Sequence, residues 1–526
     1  MSHPVAGAAD GGACYCPQAS RAGESGLRIR GRSGMRRGAE AAWIGLCLAA
    51  CSPAPTLPPP DPTLGFRPLA APVAAPAPTP DDPAQQVTAD LSPAQRWWTA
   101  FGSPELDALE AEGLRANADL AAARAGLKSA QELYRAQRAA TLPSVQLGAA
   151  AARSRNSNTF ASPLASNASY YTLYSTQLTA GYVVDLFGGQ RAQVRLARAQ
   201  AEAQRCAVDA AYGALTANIA ATVVQLASLN AQRDEVEATV SLSQRALDIT
   251  EQLHAGGEAS ASDVAAARSV LEQARAALPP ILRQQQQAAD ILAVLLGRQP
   301  GAQAPPVVRL DALTLPTRLP GPVPAALVGR RPDIRAARAN LDAAAALRGV
   351  AVAARLPSLT LAASGGGAAT DFARVLAEPN TLWTFGASVS QTVFDAGALR
   401  HRQTAADAAL EQAKLQYRSV VLGALQATQD LLQALGADSD ALASAGRAVE
   451  ASERIQRIQA RQRALGQGGR LAELSAEAAL HQARLALIQA RTARYADTIG
   501  LFQALGGSAD PAPAATAAKT GGSGPT

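Results

Sequence analysis

The feature that most constrains this fold is an order of local patterns that occurs twice along the 526-residue chain. Each copy runs from a helical stretch through a Leu-Pro-Ser break to two alternating stretches, and then to a very long helical stretch. Asp119 and Asp333 match at an offset of 214 residues (333 minus 119), and Pro143 and Pro357 match at the same offset. Because a repeat of this length far exceeds a solenoid unit, it indicates a duplicated half whose two copies pack side by side.

Each Leu-Pro-Ser break is followed by the spacing of a β-strand. Proline has no N–H and disfavours helix in the residue before it, so the helix must end there. Apolar residues then recur at every second position from Val145 in the first copy and from Leu359 in the second. The glycine run at residues 365–367 predicts a loop of about a dozen residues, after which alternation resumes at Trp383.

The alternation gives each predicted strand one apolar face and one polar face. Strands of about ten residues with tyrosines near their ends are typical of outer-membrane β-strands. A strand of a water-soluble sandwich would show the same alternation, but four such strands placed between very long helices favour the membrane interpretation. Candidates for the aromatic girdle of a barrel are Tyr174, Tyr182, Trp383 and Phe385.

Four strands cannot close a barrel alone. An open edge cannot face lipid, because its N–H and C=O groups would have no partners. The sequence therefore predicts an oligomer, with eight strands from a dimer or twelve from a trimer, and a wide pore favours the larger number.

Two helical hairpins complete the two copies. The run from Gly188 to about Leu253 is free of proline, and at 1.5 Å per residue its roughly 66 residues would span about 100 Å. Leucines and valines in it keep the four-three spacing of helix-on-helix packing. The second copy repeats the pattern from Gly397 to about Leu465. Glycine-rich turns lead into return helices, and the first of these is expected to kink at residues 279–280, which are both proline.

The start of the chain has the layout of a signal peptide, with translation expected to begin at Met35. Arginines precede a short apolar run that ends in Leu-Ala-Ala-Cys at Cys51. This motif resembles the bacterial lipobox, in which the cysteine is acylated; the alternative is a buried apolar segment with a chance cysteine. Ser52 resembles the residue found after the cysteine in lipoproteins sorted to the outer membrane.

Composition excludes several classes of protein. Hydrophobic residues make up 48% of the chain but aromatic residues only 4%, which favours closely packed long helices over a thick globular core. The net charge of +6 includes six arginines against three acidic residues before Cys51, and no basic cluster with interleaved aromatics predicts a nucleic-acid partner. One cysteine after Cys51, Cys206, cannot form a disulfide framework. No apolar run of transmembrane length follows Cys51, so no transmembrane helix is expected.

We find no catalytic set, no metal site and no cofactor motif, apart from the lipid expected on Cys51. His254, His401 and His481 are isolated along the chain. The glycine runs lack the lysine and hydroxyl residue of a phosphate-binding loop. The sequence therefore does not predict an enzyme.

Four segments together give the chain a family resemblance: WWTAFGSPELDAL at residues 97–109, RRPDI at 330–334, VDLFGG at 184–189 and VFDAGALR at 393–400. With these motifs the chain resembles a TolC-type outer-membrane factor, in the lipoprotein branch that serves RND efflux pumps. The resemblance implies a mainly helical fold with transmembrane β-strands, in which three chains form a twelve-stranded barrel continuous with a periplasmic helical tunnel. It also implies a periplasmic adaptor protein, an inner-membrane RND transporter and outer-membrane lipid as partners.

The resemblance places the gate of the tunnel in the turns at residues 255–263 and 466–473. Its candidate residues here are Asp263, Glu473, Arg470, Gly256 and Gly466. Three copies of Glu473 would form a negatively charged ring, with Arg470 as a compensating partner. The alternative is that the two acids only serve the first turns of helices, where acidic side chains are favoured.

The leading hypothesis is a passive exit duct for drugs or other solutes. Protein secretion or metal efflux are alternatives within the same class, although a mature chain without methionine disfavours a path for copper ions. A non-conducting coiled-coil lipoprotein of the envelope is the alternative from another class.

The expected organisation has six parts. They are a signal peptide (1–50), a lipidated proline-rich tether (51–93), a first repeat (94–297, with a β-hairpin at 144–187 and a helical hairpin at 188–297), a linker (298–322), a second repeat (323–507, with hairpins at 358–394 and 397–505) and a disordered tail (508–526).

Overall fold

The computed structural model describes residues 85–88, 94–155, 157, 168–301, 308–321 and 329–506. The predicted signal peptide, Cys51, most of the tether and the C-terminal tail lie outside these ranges, and so do parts of the linker and of the first hairpin loop. Helices dominate the described ranges. We label those with defined bounds α1 (Pro104–Ala116), α2 (Ala118–Ala139), α3 (Gly189–Ala255), α4 (Ala261–Ala276), α5 (Leu278–Leu295), α6 (Pro332–Ala353), α7 (Ala398–Ala464) and α8 (Arg470–Ala504).

The strands fall into two separate sheets. We label them β1 (Gln86–Thr88), β2 (Ser144–Arg155), β3 (Tyr170–Val184), β4 (Arg318–Pro320), β5 (Ser358–Ala369) and β6 (Thr381–Ser390). Four of them form one antiparallel sheet in the order β2-β3-β5-β6, so the hairpins of the two repeats meet along β3 and β5. The outer edges of this sheet belong to β2 and β6.

The two long helices have the predicted positions and lengths. Both α3 and α7 contain 67 residues, which at 1.5 Å per residue corresponds to about 100 Å. The expected interruption by the two prolines is present, because the return segment of the first repeat divides into α4 and α5 around Ala277. In one 18-residue window α3 is apolar enough to cross a membrane, but half of that window is buried within the chain itself. A core helix has the same property.

The helical stretch before the first sheet strand is two helices rather than one. Asn117 lies in extended backbone between α1 and α2, and its side chain accepts a hydrogen bond from the Leu120 N–H (2.9 Å). The same side chain donates to the backbone oxygen of Leu295 in α5 (3.0 Å). Asparagine is a strong N-cap, so this residue ends one helix and starts the next while tying both to the return helix.

The glycine run of the second hairpin does not form a loop. Residues 365–367 are paired within β5, with Gly366 opposite Gln177 and Gly367 opposite Thr381. A Cβ on Gly366 would lie 2.1 Å from the backbone oxygen of Thr176, which no real side chain could tolerate. Glycine is required here because another backbone approaches closely, and that approach is invisible in the local sequence.

The end of the predicted tether and the predicted linker join in the second sheet. β1 pairs in parallel with β4, so Gln86 lies opposite Arg318. Gln85 is fully buried, where its side chain donates to the backbone oxygen of Pro316 (3.1 Å) and accepts from Arg494 Nε (2.9 Å). This segment is therefore folded into the helical part of the chain, although its composition predicts weak packing.

The main core lies beside this small sheet and includes an aromatic cluster of Trp97, Trp98, Phe101, Tyr212, Tyr495 and Phe502. Trp97 stacks on Phe502 of α8 at 5.3 Å between ring centroids. Glu110 of α1 is also completely buried, and neither of its carboxylate oxygens has a hydrogen-bond partner among the described residues. Burial raises the pKa of Glu110 to about 9, with a further contribution from Asp107, so this side chain is protonated at neutral pH.

Candidate functional site

The four-stranded sheet carries one continuous apolar surface, which we call the apolar face. Because residues paired across strands point to the same side of a sheet, the register aligns Leu147 with Leu178, then with Gly365 and Trp383. The members of the apolar face are Val145, Leu147, Ala149, Ala151, Thr176, Leu178, Ala180, Tyr182, Val184, Leu359, Leu361, Ala363, Trp383, Phe385, Ala387 and Val389.

The apolar face is largely uncovered within the chain. Trp383 is 82% exposed, Leu147 is 73% exposed and Val389 is 70% exposed. Large apolar side chains in such a continuous patch mark a surface that contacts lipid or another protein. The opposite face carries Gln146, Ser175, Gln177, Thr179, Thr360, Ser364, Thr384 and Ser388. An apolar outer surface and a polar inner surface are what a strand of a water-filled membrane barrel needs.

All four candidate girdle aromatics belong to the apolar face or continue it. Tyr174 lies beyond Thr176 on the same side of β3, and its ring meets Phe372 edge-on at 5.9 Å. Tyr182 lies at the end nearest the helices. Across β5, Trp383 lies at the level of Leu178, and Phe385 lies at the level of Ala180. Both are therefore between Tyr174 and Tyr182 along the strand direction. Their place in a girdle therefore depends on the tilt of the strands and stays a prediction.

The first candidate gate turn, between α3 and α4, is closed by a capping box. The Asp263 N–H donates to Ser260 Oγ (3.2 Å), and the Ser260 N–H donates to Asp263 Oδ2 (2.8 Å). Hydrogen bonds from Ser260 lower the pKa of the exposed Asp263 carboxyl. The gate candidate Gly256 ends α3 in ordinary helical backbone, and the next residue, Gly257, adopts the left-handed backbone of the turn, with φ of +76°. The Asp263 carboxylate therefore caps the N-terminus of α4.

The second candidate gate turn, between α7 and α8, holds a buried acid between two arginines. Glu473 accepts a hydrogen bond from Arg470 on its own helix and another from Arg463 on α7, at 2.9 Å. The contact with Arg470 is the one expected from the sequence. These interactions, with that to Arg470 the largest, lower the pKa of Glu473. Gly466 takes the left-handed backbone of this turn, with φ of +73°.

Arg463 is a residue that sequence reasoning missed. It lies in the last turn of α7, where basic side chains are favoured next to the helix C-terminus, so its local context indicates nothing beyond a helix end. In the structure it also links the two helices of the hairpin across the turn. The two acids are therefore not equivalent: Asp263 acts within one helix start, whereas Glu473 joins two helices.

Two contacts farther along the helices were also not predicted. His481 of α8 is not isolated, since its Nδ1 lies in hydrogen-bond contact with Glu235 of α3 and so links the two repeats. In the second hairpin Asp438 of α7 faces Asp497 of α8. Burial, followed by the neighbouring Asp497 carboxyl, raises the pKa of Asp438 to about 7. Each pair joins residues far apart in sequence, so no local pattern indicates it.

Groups that could carry other chemistry are sparse in the described ranges. Those ranges contain no cluster of three or more His, Cys, Asp or Glu side chains placed to hold a metal ion. Cys206 is buried in α3, and burial raises the pKa of its thiol, so it fits a packing role.

Comparison with known proteins agrees with the duplicated architecture. The profile of the outer membrane efflux protein family matches the chain at residues 111–298 and again at 323–507. The pyoverdine export outer membrane protein OpmQ of Pseudomonas putida is 31% identical over 470 residues, covering 88% of this chain and 96% of that protein. The toluene efflux pump outer membrane protein TtgC of Pseudomonas putida is 30% identical over 452 residues, covering 83% and 90%.

A solved structure shares the fold as well. The outer-membrane channel OprN superposes with a TM-score of 0.75 at 27% identity, covering 87% of this chain and 99% of that one. The predicted fold class, mainly helical with a transmembrane sheet and a two-fold internal repeat, is confirmed. Both repeats are matched over nearly their full length.

Proposed function

The chain belongs to the outer membrane efflux protein family and is an outer-membrane efflux channel with a large periplasmic extension, and we propose that it forms the exit duct of a tripartite RND-type system. In this proposal a periplasmic adaptor protein contacts the helical end of the channel, and an inner-membrane transporter supplies the energy. The channel itself conducts passively.

The observation that carries this proposal is the open sheet with one continuous apolar face. Both of its edge strands, β2 and β6, leave main-chain groups along one side without sheet partners in the described ranges. Such groups cannot remain unpaired in hydrocarbon, so sister chains must supply the partners. Three chains provide twelve strands, and the polar faces then line a water-filled lumen.

We place the gate of the duct at the two turns where the long helices end. The contacts of Glu473 with Arg463 and Arg470 support this placement, because they hold α7 and α8 together at the end of the hairpin. The capping box of Asp263 supports a structural contribution from the first turn. Closure therefore depends more on Glu473 than on Asp263.

Two finer parts of the proposal rest on sequence and on relatives. Cys51, which lies outside the described residues, would carry the lipid anchor, as its lipobox-like context suggests. The names of OpmQ and TtgC give pyoverdine and toluene as the exported compounds of those proteins. By analogy we expect this chain to pass small organic solutes whose selection lies with the pump.

A planar-bilayer recording tests the proposal directly. Purified trimer should give discrete unitary currents, and deletion of its gene should sensitise cells to at least one pump substrate. A protein that stays monomeric, or that inserts without conducting, would instead favour the non-conducting envelope lipoprotein. The drug-sensitivity arm separates an efflux duct from a channel for secreted proteins.

A further inference from the structure

The apolar face ends at two arginines on strand β2. Side chains on a strand alternate between faces, so Val145, Leu147, Ala149 and Ala151 are followed on the same side by Arg153 and Arg155. Ser154, between them, points to the polar face. The two guanidinium groups are therefore on the lipid side of the sheet and not in the lumen.

The position of the arginines along the strand places them at the membrane surface. The apolar stretch from Val145 to Ala151 covers six residue steps, or about 20 Å, close to the apolar band of roughly 25 Å in outer-membrane barrels. β2 begins directly after α2, so Arg155 lies at the end of the strand remote from the helices. Because the helices extend into the periplasm, this end faces the outer leaflet.

The surroundings leave both arginines available to a ligand. Arg155 pairs across the sheet with Tyr170, and its guanidinium lies 5.2 Å from the centre of that ring. Tyr170 is itself 59% exposed, and Arg153 lies opposite Thr172. Both guanidiniums are exposed, and no carboxylate among the described residues forms an ion pair with either of them. Within one chain the site thus offers two cations without an ion-pair partner among the described residues, and an interfacial aromatic ring.

A cation on the lipid side needs an anion at this level. An arginine that faces lipid is strongly unfavourable at the bilayer midplane but nearly neutral at the interface, so this pair is tolerated only at a headgroup layer. The planar guanidinium matches a phosphate group with two parallel hydrogen bonds. Acyl chains below such a phosphate would lie on the apolar face itself.

We propose that Arg153 and Arg155 form a binding site for the phosphate groups of a lipid of the outer leaflet. Tyr170 flanks the headgroup, and the row Ala149 to Ala151 contacts the start of its acyl chains. The inference rests on the proposed insertion of the sheet into the outer membrane, and in a trimer it gives three equivalent sites. It assigns a ligand to a surface that the conducting path does not use.

Native mass spectrometry of the full-length protein in detergent tests this site. The probe is lipid A, a glucosamine disaccharide lipid with two phosphates, compared with its monophosphoryl form and with phosphatidylcholine. We expect the trimer to bind the diphosphoryl form most tightly. Replacing both arginines by glutamine (Arg153→Gln with Arg155→Gln) should weaken that binding about tenfold or more, because it removes at least one charge-assisted hydrogen bond per phosphate.

Two matched variants make the result specific. Arg153→Ser combined with Ser154→Arg keeps the net charge but moves one cation to the lumen side, and it should also weaken binding. Arg135→Gln removes an arginine of α2 that is paired with Glu132 (2.8 Å) and should leave binding unchanged. Equal loss in Arg135→Gln, or undiminished binding without Arg153 and Arg155, would overturn the proposal.

Inorganic phosphate and the mass of the complex separate the remaining outcomes. If excess inorganic phosphate displaces the lipid completely, the site binds free anions and the lipid assignment is wrong. A wild-type protein that remains monomeric would refute the proposed function. A conducting trimer without preference for phosphorylated lipid would refute only this inference.

Discussion

Arg463 and Glu473 join the two helices of the second hairpin directly across their turn. Arg463 Nη1 donates to Glu473 Oε2 at 2.9 Å, and Arg470 contacts the same oxygen from the first turn of α8. The Glu473 side chain is largely covered, whereas the Arg463 side chain is about half exposed. One acid with two cations is thus an internally neutralised unit at the end of the helical hairpin. The sequence predicted Arg470 as the compensating partner of Glu473, and the structure adds Arg463 as a second one.

Removal of the Glu473 charge should loosen the turn between α7 and α8. Glu473→Gln leaves Arg463 and Arg470 without their shared carboxylate and should cost the turn about 1.5–3 kcal/mol, the usual contribution of a hydrogen bond to a charged group. We expect a larger closed-state conductance in bilayers and greater entry of large antibiotics into cells. Since its pKa is lowered, Glu473 keeps this contact at neutral pH and loses it as pH falls through that lowered pKa. Glu477→Gln, one turn along α8, is the control, and equal leakage in both variants would refute the assignment.

Asp263 should act mainly on the start of α4. Asp263→Ala removes one half of the capping box and should destabilise that helix end by about 1 kcal/mol. Hydrogen exchange of the amides at residues 261–264 should accelerate, and leakage should rise less than in Glu473→Gln. Leakage as large as that of the Glu473 variant would mean that the first turn contributes equally to closure.

Gly366 should be intolerant of any side chain, in contrast to its neighbour. The Cβ of Gly366→Ala would meet the Thr176 oxygen at 2.1 Å, whereas a Cβ on Gly365 has nothing within 4 Å. We expect Gly366→Ala to lower the temperature at which trimers dissociate in detergent gels by several degrees. Gly365→Ala should dissociate at the wild-type temperature. Identical behaviour of the two variants would contradict the register of β3 and β5.

The two faces of β6 should respond oppositely to charge. Phe385→Arg places a cation on the apolar face, where it costs about 2–4 kcal/mol in a barrel at the bilayer midplane. Thr384→Arg places the same cation on the polar face, where water is available. The first variant should be depleted from the outer-membrane fraction, and the second should assemble but change ion selectivity. Normal assembly of Phe385→Arg would show that this face does not contact lipid.

Glu110 should make stability fall as pH rises. Its pKa is about 9 in the folded chain, above the ordinary value of 4.5, so between these values the folded state holds a proton that the unfolded state has released. Stability should therefore decrease by about 1.4 kcal/mol per pH unit over that range, and the loss is complete above pH 9. Glu110→Gln should remove this slope in thermal unfolding at pH 6, 8 and 9.5. Glu105→Gln is the control, because Glu105 is an exposed glutamate of the same helix, and this variant should retain the pH dependence of stability.

The long helices and the strands were predictable because their periodic patterns extend over many residues. The predicted run from Gly188 to about Leu253 corresponds to helix Gly189–Ala255, because a proline-free pattern over so many turns has no competing interpretation. The alternation that placed Tyr182 and Trp383 on apolar faces also holds through the four strands. The glycine run at 365–367 was assigned wrongly, because a glycine chosen for close approach looks the same as one chosen for a turn.

The sequence by itself determined the order of elements, the duplication and the existence of an apolar and a polar face on each strand. The elements and their faces depend on neighbours a few positions apart, so the periods of 2 and 3.6 residues indicate them. The duplication is visible because the same order of patterns recurs at an offset of 214 residues. Only the tertiary structure decided which faces become continuous and which distant groups meet. The pairing of Gln85 with Arg494, of Arg463 with Glu473 and of Leu147 with Trp383 through two intervening strands depends on register and helix contact. Those relationships arise when separate segments pack, so no local spacing carries them.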